Sequence, residues 1–208
     1  LELHEKTGIK PFWAYSYYYL GTAYHETGAF RKENKLYKSA EKDFPNDPAL
    51  LYRQAVLALS RGKDKTGDEF MDRYISTLNE RFFSEASKAD NLGNIYWDAG
   101  LLDEAEAYYR QSLSLESDSA LRMNNLAYFL IDENINISEG LQLIDKALRL
   151  EPDNYHYLDT KGWGLYKNGN YHEALEVLHK SWELKPVYDH ELFSHIQEVE
   201  RALANHSH

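Results

Sequence analysis

A small residue recurs along this chain at nearly constant spacing. Gly21 in "YYYLGTAYHETGAF", Ala55 in "LLYRQAVLALSRG", Gly93 in "ADNLGNIYWDAGLL", Ala127 in "MNNLAYFLIDE" and Gly162 in "LDTKGWGLYKNGNY" lie 34, 38, 34 and 35 residues apart. A period in this range marks a stacked repeat, in which each unit is one supersecondary element that cannot bury its apolar face alone. The fold must therefore be built by repetition.

Other positions keep the same phase. Seven residues after the small residue stands a glycine in four of the five units: Gly28, Gly62, Gly100 and Gly169. There the chain must reverse between two helices, and glycine takes the left-handed conformation that ends a helix without a Cβ clash. Two residues later comes an apolar or aromatic residue, Phe30, Leu102 or Tyr171. Further on, Ala105 and Ala174 stand where two helices cross closely, and units end near Pro45, Ser117, Pro152 and Pro186. Proline cannot continue a helix. With five prolines and eleven glycines among 208 residues, 43% hydrophobic and 27% charged, the composition is that of a globular chain poor in loops.

In these positions the sequence resembles the tetratricopeptide repeat (TPR) family. The resemblance covers residues 14–188 in five units, 14–47, 48–85, 86–119, 120–154 and 155–188, after a lead-in over residues 1–13. It implies an all-α fold, a right-handed superhelical array of antiparallel helix pairs (an α-solenoid) with about 13 residues, or roughly 20 Å, per helix. The second unit fits least well, because the register after "KDKTG" is unsettled. The fourth replaces the turn glycine by "DENINIS", where Ser138 is the expected cap of the next helix. Residues 189–208 read as a capping helix. Leu192, Phe193, Ile196, Val199 and Leu203 form its apolar stripe, directed at Leu175, Leu178 and Trp182, while Glu191, Glu198 and Arg201 face water.

Catalytic and cofactor chemistry find no support in the motifs. His172, Glu173 and His179 do not make His-Glu-x-x-His; the two histidines sit seven residues apart, roughly 10 Å along a helix, too far for one zinc. Gly162, Gly164 and Gly169 are not a dinucleotide fingerprint, and no strand precedes them. There is no cysteine. The expectation is a chain that is not an enzyme and needs no metal and no cofactor. A net charge of −11, concentrated C-terminal of residue 86, argues against nucleic acid. No apolar run is long enough to insert in a membrane. A cytoplasmic location is favoured over a periplasmic one.

In TPR arrays the first helix of each unit lines a concave groove. Transferred position by position, that groove presents Tyr15, Tyr18, Tyr52, Asp90, Asn94, Trp97, Asn124, Tyr128, Asp159, Trp163 and Tyr166. It is aromatic and mildly acidic, which suits a peptide or partner domain that is neutral to basic and carries apolar anchors. It lacks the lysines with which one TPR subclass grips chaperone tails. The expected function is a protein-interaction scaffold. The alternative is a regulatory or spacer segment of a larger bacterial multidomain protein, its groove engaged in cis; "PFWAYSYYYLGTAYHETGAFRKE" resembles TPR segments of that kind. A third possibility is self-assembly through a face near Phe12 and Trp13.

Overall fold

The computed structural model describes residues 13–206; Phe12 and the rest of the lead-in lie outside the described residues. Among these, eleven helices and no strand occur: α1 (Ala14–Glu26), α2 (Phe30–Asp43), α3 (Pro48–Leu59), α4 (Asp64–Glu80), α5 (Glu85–Asp98), α6 (Leu102–Leu115), α7 (Ala120–Asp132), α8 (Ile137–Leu150), α9 (Tyr155–Lys167), α10 (Tyr171–Leu184) and α11 (His190–His206). They form two compact units that divide within α6, residues 1–108 and 109–208.

Helix starts and stops follow local chemistry. Asp47 accepts from the backbone N–H groups of Ala49 and Leu50 at 3.0 and 3.2 Å, just ahead of Pro48 at the first helical position. Ser84, Ser119 and Asn154 cap α5, α7 and α9 in the same way. At the far end of the first helices, Gly28, Gly62, Gly100 and Gly169 all have positive φ, between 63° and 84°. The bonds Ala29 N–H to Tyr24 O at 2.8 Å and Asn170 N–H to Leu165 O at 2.9 Å close the reversal.

Two expectations change in detail. In the fourth repeat Asn134, at φ 55°, replaces the turn glycine. The cap of α8 is Asn136 and not Ser138, because the helix begins at Ile137 and the Asn136 side chain accepts from Glu139 N–H at 3.1 Å. In the second repeat "KDKTG" is not a loop insertion. Its last four residues form the first turn of α4, which runs to 17 residues. That helix then ends at Phe82, a bulky residue held at φ 60° and 94% exposed.

In the first unit, Tyr17, Tyr24, Leu36, Tyr37 and Leu50 join α1, α2 and α3, while Leu51, Leu59, Met71, Tyr74, Leu78 and Ile95 join α3, α4 and α5. Each such side chain contributes about 1.5–3 kcal/mol by burial. In the second unit Phe129, Leu130, Ile131 and Ile144 are fully buried between α7 and α8. Leu165, Leu178, Leu192, Ile196 and Val199 join α9, α10 and α11, with Leu175, Trp182 and Leu203 packed against them.

The recurring small residue lets helices of one pair touch. A Cβ on Gly162 would stand 2.5 Å from Leu178 Cγ, and one on Gly21 would overlap the Tyr37 ring. Gly162→Ala should therefore destabilise by about 1–3 kcal/mol through overpacking, unless Leu178 shifts at low cost. Gly28→Ala meets nothing within 4 Å and bears only the left-handed backbone cost of about 1–2 kcal/mol. Urea titrations of both variants check the two values; an unchanged midpoint for Gly162→Ala would refute the close-packing account.

Candidate functional site

In the first unit the outward faces of α1 and α3 carry a run of tyrosines. Ring centroids are 6.4 Å apart for Tyr15 and Tyr18, 6.3 Å for Tyr18 and Tyr52, and 6.0 Å for Tyr52 and Tyr74. Helical spacing explains the line: Tyr15 and Tyr18 are three residues apart, one turn along the same face. The run borders an open pocket of about 460 Å³, also lined by Arg81, Phe83, Asn91 and Asn94. Tyr74 donates its hydroxyl to Asn91 at 2.7 Å, and burial pushes its pKa up to about 12, so it stays a neutral donor. Tyr15 is 64% exposed, whereas Tyr18, Tyr52 and Trp97 are half-buried. Asp90 departs from expectation. It is only 4% exposed, on the side of α5 that carries Ala86, Ala89 and Gly93, so it is no rim carboxylate.

Behind the tyrosines runs a line of charge that the repeat pattern did not reveal. Arg53 of α3, 3% exposed, lies 5.6 Å from the Tyr18 ring centre. It donates to Tyr37 Oη at 3.4 Å and to Asp98 at 3.3 Å, and its Nη2 is 3.8 Å from Glu33. Tyr52 also donates to Asp98, at 3.0 Å. Glu33 is fully buried and bonded to His25 at 3.0 Å. Burial raises its pKa, and the attraction of His25 and Arg53 only partly offsets this.

The corresponding face of the second unit is covered. α11 lies against α7 and α9, and its polar residues meet the expected groove residues. Tyr128 donates to Glu191, a residue expected to face only water. His195 bonds Asp159 at 2.8 Å and stacks on Trp163 with centroids 4.1 Å apart. Trp163 is 6% exposed and donates from its indole N–H to Asp132 at 2.9 Å. Tyr166 stacks on Trp163 at 4.9 Å, and Asn124 accepts from the Thr160 hydroxyl at 2.9 Å. The structure thus separates the eleven expected residues into a set beside an open pocket and a set engaged by the chain's own last helix. His195 carried no signal in a scan for repeat positions, since it lies beyond the last repeat.

His172, Glu173 and His179 are all exposed on α10, and among the described residues no three His, Cys, Asp or Glu side chains are placed to hold a metal. No helix among them is long and apolar enough to cross a membrane.

The tetratricopeptide repeat family matches residues 90–119, where α5 meets α6. A TPR repeat-containing protein of Pseudomonas aeruginosa is 35% identical over 97 residues, 47% of this chain and 16% of that protein. The chain carries tetratricopeptide repeats. Its TPR helices also superpose on PilW, described as a widely conserved type IV pilus biogenesis factor. That match has a TM-score of 0.54 and 14% identity, over 91% of this chain and 85% of PilW. The first TPR of Spaghetti (RPAP3), solved with an HSP90 peptide, gives a TM-score of 0.51 and 19% identity, over 58% of this chain and 94% of that one. At these identities the likeness is one of fold. The TPR chain spans less than a fifth of the length of the first curated relatives it matches.

The His195–Asp159 contact makes stability depend on pH. Burial opposes the His195 cation, but the bond to Asp159 and the carboxylates of Asp159, Glu191 and Asp132 outweigh it and raise the pKa above its ordinary 6.5. Burial also raises Asp159, against the pull of His195. The folded state therefore holds protons more tightly than the unfolded one. The His195 contribution is complete below pH 6.5 and is lost as pH rises through the folded value. Urea midpoints should be higher at pH 6 than at pH 8, and His195→Gln should shrink the difference. An equal difference in the variant would assign the dependence to other groups.

Proposed function

We propose that this TPR chain is a non-catalytic scaffold that binds a peptide or a partner domain on the first-helix face of its first unit. The observation that carries the reading is the open pocket of about 460 Å³ beside Tyr15, Tyr18 and Tyr52. Tyrosine gives wide, stiff contact area with a polar tip, and buries apolar groups of a ligand at low cost in side-chain order. A TPR neighbour solved with a peptide supports the class of ligand. The ligand is neutral to basic with apolar anchors, since Asp47 and Asp98 add carboxylates near the tyrosines and the whole chain carries −11.

A second reading is favoured by α11. Tyr128, Asp159 and Trp163, residues that would serve a ligand in the second unit, already hold a helix of the same chain. In that reading the TPR segment is a regulatory or spacer part of a larger protein, and its second unit is engaged in cis.

Panning a random peptide library on the whole chain distinguishes the two. Selected peptides should carry an aromatic or aliphatic anchor, and Tyr15→Ala with Tyr52→Ala should weaken them by about 2 kcal/mol or more, the size of a binding hot spot. The double variant must first show an unchanged helical circular dichroism spectrum. Full-strength binding to the folded double variant would sink the scaffold reading at this pocket. Peptides selected only by a His195→Gln chain, in which α11 is loosened, would favour the second.

A further inference from the structure

The opposite face of α3 bounds a second cleft. Pro48, Ala49 and Tyr52 line the tyrosine pocket, whereas Gln54, Leu57, Ala58 and Arg61 line this one, half a helical turn away. The cleft holds about 470 Å³, with α3 as its floor and α2 and α4 as its walls.

Its lining has two parts. Phe30, Leu57 and Phe70 supply apolar surface, and Arg31, Lys38, Arg61 and Lys63 supply charge. The carboxylate in the lining, Glu41, is taken by Arg73 at 2.8 Å. Among the described residues no carboxylate pairs with any of the four cations. Arg61 instead lies over the Phe30 ring, 4.6 Å from its centre. All four cations are exposed. In a chain with 34 acidic and 23 basic residues, such a group is out of keeping with the rest.

The spacing of the cations indicates what they face. Arg31 and Lys38 share one side of α2 and lie roughly 10 Å apart along it at 1.5 Å per residue. A single small anion would need them to converge on one point. Side chains that share a face of an extended peptide recur about every 7 Å, at 3.3–3.4 Å per residue, so successive carboxylates fit such a row. A nucleic acid would bring its own dense charge against the acidic remainder of the chain. We propose that this cleft docks an extended acidic segment of a partner protein, with one aromatic or aliphatic anchor seated between Phe30 and Phe70. The surface is separate from the tyrosine pocket and selects the opposite charge, so it stands independently of the reading given above.

Fluorescence anisotropy tests it with the whole chain. The probe is a fluorescein-labelled heptapeptide with six glutamates around a central phenylalanine. The controls are the same peptide with a central alanine and an oligothymidylate of matching charge. The phenylalanine peptide should bind at low salt, and its affinity should fall about tenfold or more as salt screens the charges. It should also bind at least about tenfold more tightly than either control, the anchor being what distinguishes it. A quadruple variant, Arg31→Gln, Lys38→Gln, Arg61→Gln and Lys63→Gln, should lose the binding by a similar factor. These residues are exposed, so the variant should keep its helical spectrum and thermal midpoint. Absence of binding at low salt, full binding by the folded quadruple variant, or equal binding of either control would overturn the proposal. So would light scattering that found a dimer abolished by the quadruple change, since the occupant would then be a second copy.

Discussion

Close approach of paired helices at a residue with little or no side chain is the contact on which the rest of this structure depends. Gly21 receives the Tyr37 ring and Gly162 receives Leu178, in places where a methyl group would collide. Ala55, Ala127 and Ala174 do the same with a single methyl, all at zero exposure. Because the two helices of a pair lie so near each other, the large residues around the contact interdigitate. The turn between them is correspondingly short, and four glycines at positive φ make it.

That shared framework supports two different first-helix faces. In the first unit the aromatic groups contact mainly one another, with ring centres about 6 Å apart, and leave a pocket open. In the second unit they are satisfied by α11 through a hydroxyl, an imidazole–carboxylate bond and a stacked ring. One TPR pattern thus gives an open face and an occupied one, and the helix beyond the last repeat, rather than the repeats themselves, makes the difference.

The repeats were legible in the sequence because their signals are local. A glycine seven residues after a small residue, an Asp or Ser just before a helix and a proline at its end each act within a few residues. The interactions that were not legible join distant positions. His195 and Asp159 are 36 residues apart, and Arg53 and Asp98 are 45 apart; in the sequence each looks like an ordinary polar residue on a helix. Asp90 and Trp163 occupy positions that face the groove in an idealised repeat, yet both are buried, since burial depends on which neighbour covers them. Ser138 and Asn136 differ by two residues, within the usual uncertainty of a helix start.

The charged line behind the tyrosines bears on how such a chain can change its length. Arrays of this kind are modular, so copying or deleting one unit normally leaves every remaining interface intact. Here Glu33 comes from the first repeat, Arg53 from the second and Asp98 from the third, and the first two are almost wholly removed from water. A module inserted between any two of them would strand a buried charge, a far heavier penalty than a mismatched apolar contact. The first three repeats are therefore fixed in order and number, and an insertion of whole modules would be tolerated only outside them.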